Sequence, residues 1–324
     1  KEVTQNALAT QMPLEAQDTS LAQRQRRWVM NERIGIRAVY KPIIAPFVAA
    51  MSQSSLALIL DTTAAGANCH LLTVSLAYQR RAVPLVWEAG KGKRGHTSAQ
   101  RQQALLGEVA ELTPAGSDRI VLGDGEFSSV ALLKWLDEQG WAYALRCAAD
   151  TLICVEGEWQ RLDSFGVQAG DTLWLEGVCF TQAAYGPVNV LLRWDEAHER
   201  LVAIVSNLPL PEEVIHWYRK RFWTEPFYGD LKGHGFDLQT CRLRHPVRLE
   251  RLFLAVALAY LWLVFLGSFA LAAGLAKFVD RTDRRDHSIF SIGRRWLLRL
   301  LKLNKPLLVR FRPLTNLVLS PAGV

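Results

Sequence analysis

The sequence predicts an α/β protein in which helices flank a mixed β-sheet and an all-β insertion interrupts the sheet-forming region. Two observations support this class. Three β-rich runs follow one another before any strong helical pattern, and helices and strands alternate after them, which is typical of a mixed sheet covered by helices. Between residues 149 and 205, short β-like runs are separated by Gly, Asp and Pro turns, and helical periodicity resumes near Pro211.

The N-terminal region, residues 1–55, is predicted to be helical. Basic and apolar side chains recur at helical spacing over residues 23–53, and Pro42 and Pro46 are expected to break this stretch into short pieces. Residue 1 is Lys rather than Met, which is compatible with a truncated start.

Residues 56–148 are predicted to form the first part of the sheet domain. Thr97 begins a capping box that predicts a helix start. Ser128 or Ser129 is expected to cap a second helix, which Gly140 ends. The strands of this part are predicted at 56–63, 70–79, 82–88, 119–123 and 141–147.

The rest of the chain divides by composition into three regions. The all-β insertion covers residues 149–205, the second part of the sheet domain residues 206–276, and a basic C-terminal region residues 277–324. Within the second region, residues 252–276 carry no charge, so they could span a bilayer or form a helix buried on all sides. The β-like runs of the insertion are predicted at 152–155, 172–180, 188–194 and 201–205.

Charge is distributed unevenly along the chain, whose formal net charge is +7. Residues 277–324 carry eleven Lys or Arg against three acidic residues, whereas the rest has 27 basic and 28 acidic residues. A basic tail on a near-neutral body indicates a polyanion ligand or, equally, a solvated charged face. The five cysteines include no C-x-x-C pair, which argues against disulfides and zinc; with no signal peptide, this favours reduced thiols in the cytoplasm.

Two aspartates stand where apolar runs stop. Asp61 follows LALIL and Asp124 follows IVLG. Acids at the carboxyl ends of neighbouring strands converge on one edge of a sheet, where ligands usually bind. Either residue alone is more simply explained as a loop or helix cap, so the pair is the informative feature.

A third acid lies in a helical segment, residues 218–232. Tyr218, Arg221, Glu225 and Lys232 stand at offsets of 0, 3, 7 and 14 and share a face about 60° wide if the helix is continuous. A surface ion-pair cluster would explain Arg221 and Glu225, but not the Tyr and the Lys on the same face. One carboxylate framed by two cations and a phenol suits a metal ligand beside phosphate-binding groups.

Two aspartates and a glutamate form a hard-oxygen set that suits Mg²⁺ or Mn²⁺. Two such ions activate a water or a 3′-hydroxyl and stabilise the leaving oxygen in an in-line phosphoryl transfer. Asp61, Asp124 and Glu225 are therefore the predicted catalytic and metal-binding residues, with carboxylates close enough to share a pair of ions.

The spacing Y-x(2)-R-x(3)-E-x(6)-K resembles the C-terminal signature of the insertion-sequence-four transposases, relatives of the transposon-five and transposon-ten enzymes. LILDTT around Asp61, GDGEF around Asp124, the GW-x-Y-x-L-R strand, KGHGFDLQTCRLR and RLERLFLAVALAYLW are similar to that family too. The resemblance covers roughly residues 25–270 and implies an RNase H-like fold with a β-rich insertion between the second Asp and the Glu.

The resemblance also implies roles and partners. Asp61, Asp124 and Glu225 would hold two divalent ions, and Tyr218, Arg221 and Lys232 would hold phosphates of the transposon end. Trp159 or Trp174 would stack on a flipped base. The partners would be transposon ends and target DNA, bound by a homodimer in a synaptic complex in the bacterial cytoplasm, with residues 252–276 as a core helix rather than a membrane span. Pro226 and Gly229 are expected to interrupt the signature helix, which places Lys232 in doubt.

Three alternatives compete with a DNA transposase. A non-transposing nuclease on the same fold would share the metal site. A membrane-anchored protein would use residues 252–276 as its single span. A catalytically dead remnant would bind DNA ends without cutting them.

Overall fold

The computed structural model describes residues 4–12, 14–92, 95, 97–233 and 235–314. The strands are β1 Leu56–Ala65, β2 Cys69–Tyr78, β3 Arg81–Lys91, β4 Arg119–Gly123, β5 Ala142–Cys147, β6 Leu152–Val155, β7 Glu158–Arg161, β8 Thr172–Phe180, β9 Tyr185–Asp195 and β10 Arg200–Ser206. The α-helices are α1 Gln5–Ala9, α2 Asp18–Met30, α3 Ile36–Met51, α4 Ala99–Leu112, α5 Val130–Glu138, α6 Pro211–Tyr218, α7 Thr224–Leu231, α8 Pro246–Ala272 and α9 Ile289–Lys302.

All ten strands belong to one mixed sheet, in the order β3-β2-β1-β4-β5-β10-β9-β8-β6-β7. The pairs β1–β4 and β4–β5 are parallel, and the other pairs are antiparallel. The predicted α/β class with a mixed sheet flanked by helices is confirmed. Every predicted strand is present, and the hairpin strand β7 was not predicted.

The central strands are buried on both faces. In β1, Leu58, Ile59 and Leu60 are fully buried although successive side chains point to opposite faces of the sheet. Helices therefore cover both sides of this part of the sheet, as expected where parallel strands lie in the middle. Their near-continuous apolar runs follow from this double burial.

The strands predicted as an insertion do not stand apart from the sheet. β10 pairs with β5 through residues such as Val205 and Leu145, and β9, β8, β6 and β7 follow outward. Residues 149–205 therefore form β-structure, as predicted, and this structure continues the edge of the same sheet.

The expected break of the N-terminal helix at its prolines is wrong. Helix α3 runs through both Pro42 and Pro46. The two prolines lie four residues apart on the exposed face, where water can satisfy the carbonyls that lose a donor. Tyr40, Ile44 and other buried side chains on the opposite face hold the helix against the core.

Helix α8 is long and apolar enough to cross a membrane by length and composition, and it alone passes that test among the described residues. Of its most apolar 18-residue window, 72% is buried inside the protein. Helix α9 crosses it closely because Gly267 and Gly293 meet at the crossing, where an added Cβ at Gly293 would collide with the Leu263 carbonyl oxygen. Residues 252–272 thus pack inside the protein, as predicted, and residues 273–276 follow the end of the helix.

Candidate active site

The two predicted aspartates lie side by side at the end of a parallel strand pair. The β1–β4 pairing ends at Leu60 and Gly123, and Asp61 and Asp124 are the next residues on each strand path. Asp61 is not at the end of its own strand, because β1 continues to Ala65 against β2. The two acids are therefore brought together at the point where the parallel pairing of β1 and β4 ends, and not at the end of both strands.

Each aspartate is also held by a backbone amide. Asp61 Oδ1 accepts a hydrogen bond from the Thr62 amide at 2.7 Å, and Asp124 Oδ1 accepts one from the Glu126 amide at 3.0 Å. Asp124 thereby caps the 3₁₀ turn Gly125–Phe127. In each case a second carboxylate oxygen, Oδ2, points to the same cation.

That cation is Arg221, which lies between all three predicted acids. Its Nη2 atom is 4.0 Å from Asp61 Oδ2 and 3.5 Å from Asp124 Oδ2, and its Nη1 atom is 3.2 Å from Glu225 Oε1. The exposed fraction of the side chain rises from 9% for Asp61 to 35% for Asp124 and 62% for Glu225. The site is therefore deep at Asp61 and open at Glu225.

The carboxylates surround the guanidinium rather than one another. Over the described residues, no group of three His, Cys, Asp or Glu side chains is arranged to hold a metal ion. The chemistry of the donor set, three carboxylates already gathered around one positive charge, nevertheless suits a hard divalent cation. The predicted sharing of two ions by these residues stays a prediction.

Burial and charge shift the protonation of this group. Burial raises the pKa of Asp61 to about 7, Arg221 lowers it, and the nearby Asp124 charge adds to the rise. Burial lowers the pKa of Arg221, but the charges around it, Asp61 first, raise it overall. A positive charge thus stays in the site at neutral pH, whereas Asp61 titrates near neutrality without a metal.

The signature segment is not one continuous α-helix, so the condition on which the shared 60° face was predicted is not met. α6 ends at Tyr218, a 3₁₀ turn spans Arg219–Trp223, and α7 begins at Thr224. The expected breaks at Pro226 and Gly229 are also wrong, because both residues lie inside α7 and Pro226 occupies the first turn, where a missing amide donor costs little.

The other signature residues have different surroundings. Tyr218 is buried beside the core, and its pKa is raised by burial to about 12. Lys232 is the residue that follows α7, with its Nζ 5.8 Å from the centre of the Tyr228 ring. Arg221 and Glu225 contact each other directly, and Tyr218 lies close enough to Arg221 and Asp124 to interact with their charges.

A hydroxyl pair behind Asp61 was missed by sequence reasoning. Thr73 is the cross-strand partner of Asp61, and its Oγ1 donates to the Asp61 carbonyl oxygen at 3.3 Å. The Tyr228 hydroxyl lies 3.1 Å from the same Oγ1. Tyr228 stands three residues after Glu225, so this contact ties α7 to the strand beside Asp61. The sequence offered one signal for this contact: Tyr228 stands three residues after Glu225, so the two residues lie on neighbouring turns of one helix.

Glu126 was also missed, although it lies within the GDGEF segment. Its Oε1 accepts hydrogen bonds from the Thr97 amide at 2.8 Å and from the Thr97 hydroxyl at 2.5 Å. Thr97 is therefore not the predicted cap of α4, whose N-cap is Ser98. The basic loop 91–96 ends at this anchor; its residues 93, 94 and 96 lie outside the described residues.

A cavity of about 330 Å³ opens beside α6 and the 3₁₀ turn. Trp194, Phe222, Arg193 and Arg219 are among the residues that line it, together with Tyr218. Neither predicted stacking residue lines this cavity: Trp159 is exposed on β7 and Trp174 is half-buried on β8. Trp194 and Phe222 are aromatic candidates that the sequence did not single out.

The structure describes the basic C-terminal region as far as residue 314, and the rest of this predicted region lies outside the described residues. Asp283 and Asp286 pair with Arg281 and Arg284 in the loop before α9. The exposed cations of α9 are Arg295, Arg299 and Lys302. Positive charge is thus concentrated on the outer side of this helix.

Two aspartates from neighbouring strands and a helical glutamate, gathered around one positive charge, offer the oxygen ligands that divalent ions use in phosphoryl transfer. The chain belongs to the transposase DDE domain family, whose model matches residues 61–262. The match begins at Asp61 and includes Asp124, Arg221 and Glu225. Enzymes of this family generally use divalent metal ions.

Two of the solved structures that align with the chain share little sequence identity with it. A piggyBac transposase synaptic complex with hairpin DNA, determined by cryo-EM, aligns over 78% of this chain and 54% of its own, with 10% sequence identity and a TM-score of 0.41. Human ENDOV aligns over 68% of this chain and 92% of its own, with 14% identity and a TM-score of 0.31. The chain thus spans about half the length of that transposase. Among curated proteins, none matches the chain.

Proposed function

We propose that this protein is a DNA transposase of the insertion-sequence-four type, which cuts DNA at the ends of an element and joins those ends to target DNA. The observation that carries the proposal is the meeting of Asp61, Asp124 and Glu225 around Arg221, inside the matched transposase domain. The full Y-x(2)-R-x(3)-E-x(6)-K spacing of residues 218–232 supports the finer family.

The strand order supports an RNase H-like catalytic core. In the order β3-β2-β1-β4-β5, the first three strands form an antiparallel meander, and β4 and β5 add in parallel. We assign residues 56–148 and 206–276 to this core. Residues 149–205 would be the β-rich insertion, grafted onto the free edge of β5 through β10.

Asp61, Asp124 and Glu225 would hold two divalent ions, Mg²⁺ or Mn²⁺. When bound, the ions supply the charge that activates a water or a 3′-hydroxyl and stabilises the leaving oxygen. Asp61 anchors the deep side of the site, where burial excludes water, and the exposed Glu225 closes the open side. Thr73 and Tyr228 position the strand and the helix that carry these acids.

Phosphates of the element end would be bound by Tyr218, Arg221 and Lys232, with the exposed cations of α9 adding to affinity for DNA. Arg suits this role because a planar guanidinium can grip a phosphate through two hydrogen bonds. The stacking residue for a flipped base would be Trp159 or Trp174, and the cavity lined by Trp194 and Phe222 adds a third location for an unpaired base.

We further propose a homodimer in a synaptic complex, working in the bacterial cytoplasm. The burial of most of the apolar window of α8 supports a core helix rather than a membrane span. The close crossing of α8 and α9 at Gly267 and Gly293 supports the same assignment. This surface of α8 is covered by another helix of the protein, whereas in a single membrane span it would face lipid.

Replacing Glu225 with Gln tests the proposal. The amide keeps the shape of the side chain and loses the negative charge, so metal-dependent cutting and joining of a linear element end should be lost while DNA binding is kept. Glu212→Gln, an exposed change on α6, is the matched control and should leave both activities unchanged.

Cleavage and joining are measured in Mg²⁺ and in Mn²⁺, beside gel-shift titrations at fixed salt. Cutting by Glu225→Gln at the parent rate would show that the acid assignment is wrong. Metal-dependent cutting without joining would favour the nuclease alternative, and end binding without any cutting by the parent would favour the inactive remnant.

A further inference from the structure

Arg221 has two proposed partners that it cannot serve at the same time. Its Nη atoms contact Asp61, Asp124 and Glu225, and only 15% of the side chain is exposed. The third nitrogen, Nε, is buried and makes no hydrogen bond among the described residues, so a phosphate of the element end that binds through two N–H donors would need the Nη face. Either the carboxylates or a phosphate can occupy that face.

The guanidinium also lies where the three predicted metal-binding carboxylates converge. Two carboxylate oxygens on neighbouring strand paths approach one nitrogen atom of Arg221, and the oxygen of Glu225 approaches the other. Cations repel one another strongly where water is scarce. No three of the described carboxylates are arranged around a metal position while Arg221 lies among them.

We propose that Arg221 is the resident cation of the metal-free site, and that divalent ions bind only as its guanidinium leaves the three carboxylates. This inference rests on the proposed function. It couples two events, because the same displacement that opens the carboxylates to metal frees the guanidinium for a phosphate of the DNA end. Binding of metal and binding of DNA should therefore strengthen each other through this one side chain.

The surroundings of Arg221 allow such a displacement. Arg221 lies in the 3₁₀ turn Arg219–Trp223, and its guanidinium carbon is 5.3 Å from the centre of the Phe222 ring. Phe222 is 45% exposed and lines the cavity beside the site. The guanidinium can therefore keep its contact with this exposed ring as it moves off the carboxylates.

The carboxylates, for their part, need a cation in either state. Without Arg221, the charges of Asp61, Asp124 and Glu225 would face one another in a partly buried pocket, which disfavours the ionised forms. The metal-free protein avoids this by placing its own cation there. Removing that cation should then increase the affinity of the carboxylates for a divalent ion.

Mn²⁺ titration of the full chain without DNA tests the inference, with free Mn²⁺ followed by electron paramagnetic resonance. Arg221→Gln should bind Mn²⁺ about tenfold more tightly than the parent, which corresponds to about 1.4 kcal/mol. Lys220→Gln is the matched control. It removes one positive charge from the neighbouring residue, whose Nζ lies 3.7 Å from the centre of the Trp217 ring, and should leave the affinity unchanged.

A second arm uses a short DNA duplex. The duplex should tighten Mn²⁺ binding by the parent. This gain should be smaller in Arg221→Gln, because that variant has no guanidinium to move from the carboxylates to a phosphate. Arg221→Lys covers the case in which the Gln variant does not fold, as judged by circular dichroism. Its shorter, single-point cation reaches the carboxylates less well and should give an affinity between those of the parent and the Gln variant.

The outcomes separate the inference from the proposed function. Equal or weaker Mn²⁺ binding by folded Arg221→Gln, or by Arg221→Lys if only that variant folds, would overturn the inference and show that Arg221 is a scaffold for the acids. If neither the parent nor the Arg221 variants bind Mn²⁺ at a site that Glu225→Gln removes, the metal assignment fails as well. Tighter binding in Arg221→Gln, lost again in the double variant with Glu225→Gln, supports both.

Discussion

Replacing Asp61 with Asn should stabilise the metal-free protein at alkaline pH. Burial raises the pKa of Asp61 from 3.8 to about 7, against the lowering effect of Arg221. Because the folded-state pKa exceeds the unfolded value, the folded protein retains a proton that the unfolded chain has already released. The ionised carboxylate therefore costs nothing below pH 3.8, and its cost grows until the pH passes 7.

The magnitude follows from the difference between the two pKa values. About three pKa units at about 1.4 kcal/mol each amount to about 4 kcal/mol. Asparagine has the same shape and cannot ionise, and its amide oxygen can still accept the hydrogen bond from the Thr62 amide. The free energy of unfolding of Asp61→Asn should exceed that of the parent by up to about 4 kcal/mol at pH 9 and match it near pH 4.

Urea unfolding in EDTA at a series of pH values measures this difference. Asp118→Asn, an exposed change at the start of β4, is the control and should follow the parent at every pH. In a separate series without EDTA, Mg²⁺ should stabilise the parent at pH 9 and have little effect on Asp61→Asn. If Asp61→Asn were no more stable than the parent at pH 9, the ionised carboxylate would not be the cost to folding that its burial implies.

Two further predictions concern the elements around the site. Asp230→Asn should lower the free energy of unfolding by about 3–5 kcal/mol in urea, because it leaves the Arg81 guanidinium buried without its carboxylate partner, now 3.1 Å away; a loss no larger than that of Asp118→Asn would contradict this. Gly293→Ala should destabilise the protein by about 1–3 kcal/mol, because the new methyl group must push α9 away from the Leu263 carbonyl. Gly107→Ala meets open space within α4 and should instead stabilise the protein by about 0.5–1 kcal/mol. Thermal unfolding of the two glycine variants compares them directly, and equal melting temperatures would refute the close crossing of α8 and α9.

The features that sequence reasoning located are those set by local pattern. Apolar runs ending in acids placed Asp61 and Asp124 at one edge, because strand direction and burial are encoded residue by residue. Arg221 and Glu225 also contact each other, as their spacing of four residues predicted. The contact forms although the segment changes from a 3₁₀ turn to an α-helix between them. What these acids bind stays a prediction.

The features that sequence reasoning missed depend on contacts between distant segments. The 3₁₀ turn Arg219–Trp223 has no proline or glycine to announce it. Tolerance of Pro42 and Pro46 in α3 depends on which face meets the core, and the pairing of β10 with β5 joins residues far apart in the chain. The presence of Arg221 among the acids could be seen only once β1, β4 and the turn were placed together.

The hydrogen bonds between β10 and β5 have a mechanical consequence. They make the outer strands and the acid-bearing strands one continuous ladder over the described residues, which resists independent movement of the two halves of the sheet. If the proposed DNA end lies across both halves, the sheet offers it a surface of nearly fixed length. The duplex would then supply the bending or twisting that a fit requires, and base steps that deform easily would be favoured over stiff ones without any contact to their edges.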